Sequence, residues 1–409
     1  MAGEKLKAPR GTFDVLPGDG ERRLSLTRAA DDLLGAAGYG AFDTPIFEHT
    51  ELFARGVGET TDIVQKEMFT FEDMGGRSLT LRPEGTAPTV RAYLEHGMHK
   101  WPQPVKVRYI GPYFRHEAPQ AGRYRQFTQI GAEAIGSDDP SLDAEIIMLL
   151  AELLADVKGL RLRVGSLGTP ETRREYSDEL RDYLHAHEGE LSDEVRARID
   201  ANPLRAFDSD HRGTQRVMEG APRLLDRIAD DDREHFDEVR AMLDEAGLSY
   251  EVDATLVRGL DYYTRTVFEF TSDALGAQSG VAGGGRYDLL AEQLGGPHVP
   301  GVGFAAGVER ILLAAGDEAE PDRGVDVFIA SEGDVERRVI FQVKHSLRRA
   351  GVRAEMDQAG RSINGQLKQA NRLGAAKVII VTPDEFRVRD MESGDQQAVA
   401  TAEEARALL

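Results

Sequence analysis

Three observations predict an α+β protein in which an antiparallel sheet is interrupted by a helical segment and followed by a small α/β domain. The first is a pair of hairpin signals. Phe69-Thr70-Phe71 and Leu79-Thr80-Leu81 flank Gly75-Gly76, and the alternating segments Val105–Ile110 and Arg123–Ile135 are separated by the loop 118–122. The second is a change of texture between Pro170 and Tyr250, where the pattern is helical, charged and almost free of glycine-bounded strands, with an acidic run at Asp230-Asp231-Asp232. The third lies beyond an acidic linker, 316–323. Strand and helix then alternate over 325–330, 335–350, 352–356, 363–373 and 378–381. The first half lacks that alternation, which argues against a doubly wound nucleotide fold. The expected segments are therefore 1–169, a helical insertion over 170–250, 251–318, and a separate domain over 324–409.

Taken in order, Asp19–Ala37 has helical spacing, with Leu24, Leu26, Leu33 and Leu34 on it and Gly38 to stop it. Phe42 to Glu48 is expected as a short strand interrupted by Pro45. On the second strand of the longer hairpin, Phe127, Gln129, Gly131 and Glu133 share one face, and Gly131 is expected to leave room for something small between amide and carboxylate. A lone Gln or Glu there would ordinarily face solvent. Three arginines in the same hairpin, Arg115, Arg123 and Arg125, favour a pocket instead. Further on, Thr266–Phe270 is a strand, and Gly283-Gly284-Gly285 is expected to follow another short one. In Gly301–Gly307 the third glycine comes one residue too late for the dinucleotide fingerprint, so this stretch is better taken as a glycine-rich strand feeding a helix that carries Arg310.

Composition narrows the setting. The 409 residues contain no cysteine and ten histidines without ligand-like clustering, so disulfides and a protein-bound metal are not expected. No apolar run approaches membrane-spanning length and the start lacks a signal peptide's apolar core, so a cytoplasmic protein without membrane contact is expected. Fifty Lys and Arg stand against 71 Asp and Glu, for a net charge of -21. That balance by itself argues against a polyanionic partner. Nine of the fifty cations are Lys and 41 are Arg, a replacement of surface amines by carboxylates that suggests adaptation to a salty cytoplasm, where self-repulsion is screened.

Phe114-Arg115-His116-Glu117, with Arg123 four residues before Phe127, resembles motif 2 of the class II aminoacyl-tRNA synthetases. Arg82 to Thr86, Tyr124 to Phe127, Arg258-Gly259-Leu260-Asp261-Tyr262-Tyr263 and Gly283 to Asp288 are similar to segments of the histidyl-tRNA synthetase family. Thr44 to Phe53 looks like motif 1, which implies a homodimer, and Gly301 to Arg310 looks like motif 3. The region after 324, with Arg361-Ser362-Ile363 and Gln366-Leu367-Lys368, resembles a class IIa anticodon-binding domain. Arg265 departs from the pattern, where a small residue is expected, and the loop 118–122 carries no positive charge, which leaves base reading to Gln120 or to the insertion.

The resemblance implies activation of L-histidine by ATP, with Mg2+ accompanying the nucleotide, and transfer to tRNA(His). Negative charge building on phosphate oxygens calls for placed cations, and the rigid guanidinium fork suits that task. Arg115 and Arg258 are then the catalytic candidates at the α-phosphate, with Arg258 bridging to the histidine carboxylate. Arg123 and Arg310 would hold the γ-phosphate, Phe127 would stack on adenine and Glu117 would accept from its amine. Glu84, Thr86 and Gln129 would clamp the ammonium. Glu133 and Tyr263 would read the imidazole, walled by Tyr262 and Tyr287. The competing reading is a synthetase-like regulatory subunit of histidine biosynthesis. It is opposed by the retained C-terminal domain and by the intact motif from Arg258 to Tyr263.

Overall fold

The computed structural model describes residues 6–58, 61–118, 122–256, 260–276, 279–316 and 324–409, with the backbone alone at 208. The chain divides into two compact units, Met1–Glu318 and Ala319–Leu409.

The larger unit is built on an eight-stranded sheet. Its strands are β1 (Gly40–Ala41), β5 (Val105–Phe114), β6 (Gln126–Ile135), β7 (Leu160–Ser166), β8 (Glu251–Val252), β9 (Thr264–Ser272), β10 (Gly280–Arg286) and β11 (Gly301–Gly307). They are ordered β1-β5-β6-β11-β10-β9-β7-β8. The six central strands are antiparallel, and the short edge strands β1 and β8 pair in parallel. A second, three-stranded sheet contains β2 (Phe47–His49), β3 (Phe69–Glu72) and β4 (Ser78–Leu81), with β3 and β4 forming the hairpin expected around Gly75-Gly76.

Alternation along β6 separates two environments. Ile130, Ala132 and Ala134 join a core with Val302, Phe304 and Ala306 of β11 and with Ile146, Ile147 and Leu150 of the helix Pro140–Leu153. That helix starts where Asp139 accepts from the Ser141 amide and Pro140 takes the first position, which satisfies an otherwise orphaned donor. The opposite face of β6 carries Gln129, Gly131 and Glu133.

Several expectations are corrected. Residues 42–46 form no strand; the segment around Pro45 is an irregular link between β1 and β2, because proline cannot donate to a ladder. The paired strand expected from Arg123 begins at Gln126. Gly283 to Gly285 lie inside β10 rather than after a strand. A side chain at Gly284 would put its Cβ 2.0 Å from the Gly303 carbonyl oxygen of neighbouring β11, so close strand approach selects glycine there. The helical stretch 170–250 is not uniform either. Its helix Asp230–Glu245 buries Phe236, Val239 and Leu243 in the core beneath the large sheet, each burial stabilising by roughly 1.5–3 kcal/mol. Arg265, the residue out of pattern, sits at φ 44 beside a register shift between β9 and β10, and its Nε donates to the buried Asp232 at 2.8 Å. An arginine there ties the start of that helix to the sheet.

The smaller unit has a five-stranded sheet of β12 (Val327–Ser331), β13 (Ala354–Met356), β14 (Lys377–Val381), β15 (Phe386–Asp390) and β16 (Gln396–Val399), ordered β13-β12-β14-β15-β16. The helices Arg337–Arg349 and Ile363–Arg372 link its parallel strands, as alternation predicts. The antiparallel pair β15 and β16 and the final helix Ala402–Ala407 were not legible in the pattern.

Candidate active site

A cavity of about 250 Å³ opens over the bare face of β6, β10 and β11. Eleven of the thirteen residues singled out from the sequence line it: Glu84, Thr86, Arg115, Glu117, Arg123, Phe127, Gln129, Tyr262, Tyr263, Tyr287 and Arg310. Arg258 and Gln120 lie outside the described residues. Glu133, expected as a lining residue, is found one layer behind the wall.

One end of the cavity is carboxylate-rich and apolar-walled. Glu84 is buried, and its two oxygens accept from the Thr86 and Ala87 amides at 2.7 and 3.0 Å, at the start of the helix Thr86–Glu95. Its Oε2 also accepts from Tyr262 Oη at 3.3 Å. Burial pushes the Glu84 carboxyl up from its ordinary range, and the two amides pull it back. In the same cavity wall, the buried Gln129 Oε1 has no hydrogen-bond partner among the described residues. An orphaned buried acceptor in a cavity wall is costly unless a ligand supplies a donor.

Glu133 is 0 % exposed. Its Oε1 accepts from Thr86 Oγ1 at 2.8 Å and Tyr109 Oη at 3.0 Å, and its Oε2 accepts from Tyr287 Oη at 2.7 Å. Three of the roughly four acceptor positions of a carboxylate are thus filled by hydroxyls, leaving one at Oε2. That oxygen lies against Gly303, where an added Cβ would come within 1.7 Å of it. Desolvation pushes the Glu133 carboxyl up to about 8, opposed by the hydroxyl donors and reinforced by Glu84.

Tyr109, which sequence reasoning did not place at the site, packs behind it and donates to Glu133. Its ring occupies the space that Gly131 was expected to leave open: a Cβ on Gly131 would lie 2.3 Å from Tyr109 Cε2, and one on Gly85 would lie 2.5 Å from Cζ. The available signal was the hairpin register, which sets Tyr109 directly opposite Gly131. Tyr262 and Tyr263 pack at 4.8 Å between ring centroids and Tyr262 meets Tyr287 edge-on at 6.0 Å, forming the aromatic wall.

The other end is cationic. Arg115 Nε donates to the Pro83 carbonyl at 2.9 Å, and its guanidinium lies 5.5 Å from the centre of the Phe127 ring. Arg123 pairs with Glu117 at 3.0 Å, and Arg115 approaches the same carboxylate at 3.9 Å. Arg310, on the helix Val308–Ala315 that follows β11, donates to the Gly280 carbonyl at 2.5 Å. Its basicity is lowered first by burial and then by the neighbouring Arg123. Arg82, by contrast, is buried in structural work, donating to Pro112 and Thr44.

Such a site is built to face negative charge as it develops, with arginines converging on one end and a buried acceptor pair at the other. Fold and site together define a class II aminoacyl-tRNA synthetase catalytic unit. The family model for histidyl-tRNA synthetase matches residues 11–311, and one described as an anticodon binding domain matches 326–409. The histidine–tRNA ligase of Desulforamulus reducens is 48% identical over 405 residues, covering 97% of each chain, and that of Halothermothrix orenii is 46% identical with the same coverage. The crystal structure of apo histidyl-tRNA synthetase from S. aureus superposes with a TM-score of 0.82 at 36% identity, covering 98% of this chain and 99% of that one. The chain belongs to the histidyl-tRNA synthetase family. Its activity is tRNA aminoacylation, and the regulatory alternative falls. A likeness at 22% identity to a chain from Bacillus halodurans described as both regulatory subunit and synthetase reflects shared fold alone.

Proposed function

We propose that the cavity activates L-histidine with ATP and passes it to tRNA(His), and that its two ends divide the substrates. The observation that carries the division is the Gln129 Oε1, unpaired among the described residues, in the cavity wall that also carries Glu84. With Thr86 it forms an ammonium clamp, and the ligand's N–H groups supply the missing donors. The imidazole lies against Tyr262, Tyr263 and Tyr287. Its N–H is read by Glu133 through the Tyr287 hydroxyl that donates to Oε2, and Tyr263 meets the second ring nitrogen. A side chain unable to fill both roles leaves a buried group unpaired, a penalty that reaches ~10⁴ to 10⁵ in discrimination.

ATP takes the arginine end. Arg115 serves the α-phosphate, Arg123 and Arg310 the γ-phosphate, and Phe127 stacks on adenine once the base displaces Arg115 from its ring. Glu117 then exchanges its contact with the arginines for the adenine amine. Mg2+ enters with the nucleotide as part of the substrate. Arg258, assigned by its motif alone, bridges the histidine carboxylate and the α-phosphate. The attacking carboxylate is already ionised, so no base is required. The carboxylate oxygen bonds to the α-phosphorus as the bond to pyrophosphate breaks, giving histidyl-adenylate.

Ile46, Phe47 and Phe71 are exposed around the small sheet, with the two phenylalanine rings 6.3 Å apart, and this apolar face suits a homodimer. The carboxylate excess is attributed to life at high salt. Amino-acid-dependent exchange between ATP and pyrophosphate, run with all twenty amino acids, tests the central assignment; activity with an amino acid other than histidine at comparable rate refutes it.

A further inference from the structure

Tyr287, which donates to Glu133 Oε2 at 2.7 Å, lies one residue beyond the end of β10, where the ladder no longer holds the chain. The register between β9 and β10 also shifts at Gly285 and Arg286. The Tyr287 amide still reaches the Gly301 carbonyl at 2.8 Å, but one backbone hydrogen bond leaves the direction of the side chain open.

Its two neighbours in the chain are tied down instead. Arg286 is fully buried and turned toward the helix Pro140–Leu153, which packs on the face of the sheet away from the cavity. Its Nε donates to both oxygens of the buried Asp143 on that helix, at 3.0 and 2.8 Å, and its Nη2 lies 2.7 Å from Oδ2. Nη1 donates to the Ser137 carbonyl and to Asp288 Oδ1, each at 3.2 Å, and Nη2 donates to the Asp139 carbonyl at 3.0 Å. Asp288 is fixed in turn. Its amide donates to Thr264 Oγ1 and its Oδ1 accepts from the Gly301 amide, both at 3.2 Å.

Stability is a poor reason for such a cluster. The cost of desolvating buried charges roughly cancels their attraction, and apolar residues of the same volume would hold the helix on the sheet as well. What a filled guanidinium fork adds is direction, because its planar donors fit one arrangement of acceptors. Arg286 and Tyr287 are adjacent and diverge, one toward the helix and the other into the cavity wall, so fixing the first fixes the second. The seat of the ring is close: a Cβ on Gly301 would lie 2.4 Å from Tyr287 Cε2.

We propose that the buried pair of Asp143 and Arg286 positions Tyr287 for histidine recognition, acting from the far side of the sheet without touching substrate. The proposal rests on the reading that Glu133 meets the imidazole through the Tyr287 hydroxyl. A hydroxyl moved by ~1 Å loses both its bond to Glu133 and its aim at the ring nitrogen, and misplacements of that size cost up to ~10²-fold.

The test is a double-mutant cycle in the full chain, read as the dissociation constants for histidine and for ATP by equilibrium dialysis, below the thermal midpoint of every variant. Tyr287→Phe gives the reference loss. Arg286→Lys keeps the charge without the fork, and Asp143→Asn keeps the shape without the charge. Each is expected to weaken histidine binding by roughly ten-fold or more while ATP binding stays within about two-fold. Combined with Tyr287→Phe, each should add less than about two-fold, because a residue that acts through another contributes little once that one is gone. The proposal is overturned if either variant, once folded, binds histidine as the wild type does, or if its loss multiplies with that of Tyr287→Phe. It is overturned equally if the affinities for ATP and histidine fall together, or if neither variant folds, since the pair would then serve the fold. Wild-type histidine binding by Tyr287→Phe would instead refute the reading on which the proposal rests.

Discussion

Tyr109 and Gly131 oppose each other across the β5–β6 hairpin, and the tyrosine ring fills the volume that any side chain at 131 would need. The hydroxyl of the same ring reaches Glu133 at 3.0 Å. Gly131→Ala is therefore expected to drive the ring out of place, destabilising the fold by about 1–3 kcal/mol. Tyr109→Phe keeps the ring but removes one donor, and KM for histidine should rise up to about ten-fold with the thermal midpoint nearly unchanged. An alanine at 131 that left histidine activation at the wild-type level would mean that the contact has no bearing on the site.

Glu133 should impose a pH dependence. In the proposed site the ionised carboxylate orients three hydroxyls and reads the imidazole through that of Tyr287, and its ionised fraction rises with pH through about 8. We expect kcat/KM for histidine to climb between about pH 7 and 9, and Glu133→Gln to lower activity and abolish that limb while ATP binding persists. The sign for stability is opposite. The folded-state pKa is raised above the unfolded value, so this group favours the fold at low pH, and its contribution is lost as pH rises from about 4.5 through 8. An unchanged pH profile in Glu133→Gln would remove the residue from the histidine site.

Arg258 is expected to act on the transition state. Arg258→Ala should cut kcat for activation more than it raises KM for histidine, because a cation that stabilises developing phosphate charge acts after binding. A change confined to KM would make it a positioning residue.

The two compact units predict separable activities. Chain terminated near Gly324 loses a domain with its own cores around Ile329 and Val378. Histidine-dependent exchange should survive, and aminoacylation should fall sharply. Loss of exchange as well would show that the smaller unit supports the catalytic one.

Because the excess negative charge lies before residue 324, salt should act chiefly on the larger unit. Aminoacylation and thermal midpoint are expected to rise with potassium chloride from dilute buffer into the molar range, through screening of self-repulsion. Monotonic loss on adding salt would assign the carboxylate excess another origin.

The sequence by itself determined the antiparallel core, the hairpins at Gly75-Gly76 and at loop 118–122, the α/β character after 324 and nearly the whole set of cavity residues. The elements follow from local physics, since strand period sets which side chains share a face and glycine and proline mark where the chain turns, whereas most of the cavity residues were implied by the resemblance of their motifs to the family. Tertiary structure alone decided what fills each face. Period placed Gly131 between Gln129 and Glu133, but only pairing with β5 put Tyr109 into the gap and turned Glu133 from a lining residue into one held behind Thr86 and Tyr287. Composition likewise grouped Asp230–Glu245 with the solvated helices before it. Burial in the same core as Ile146 and Leu150 assigned it to the layer beneath the large sheet, because burial depends on contacts between segments far apart in the chain, which no local pattern encodes.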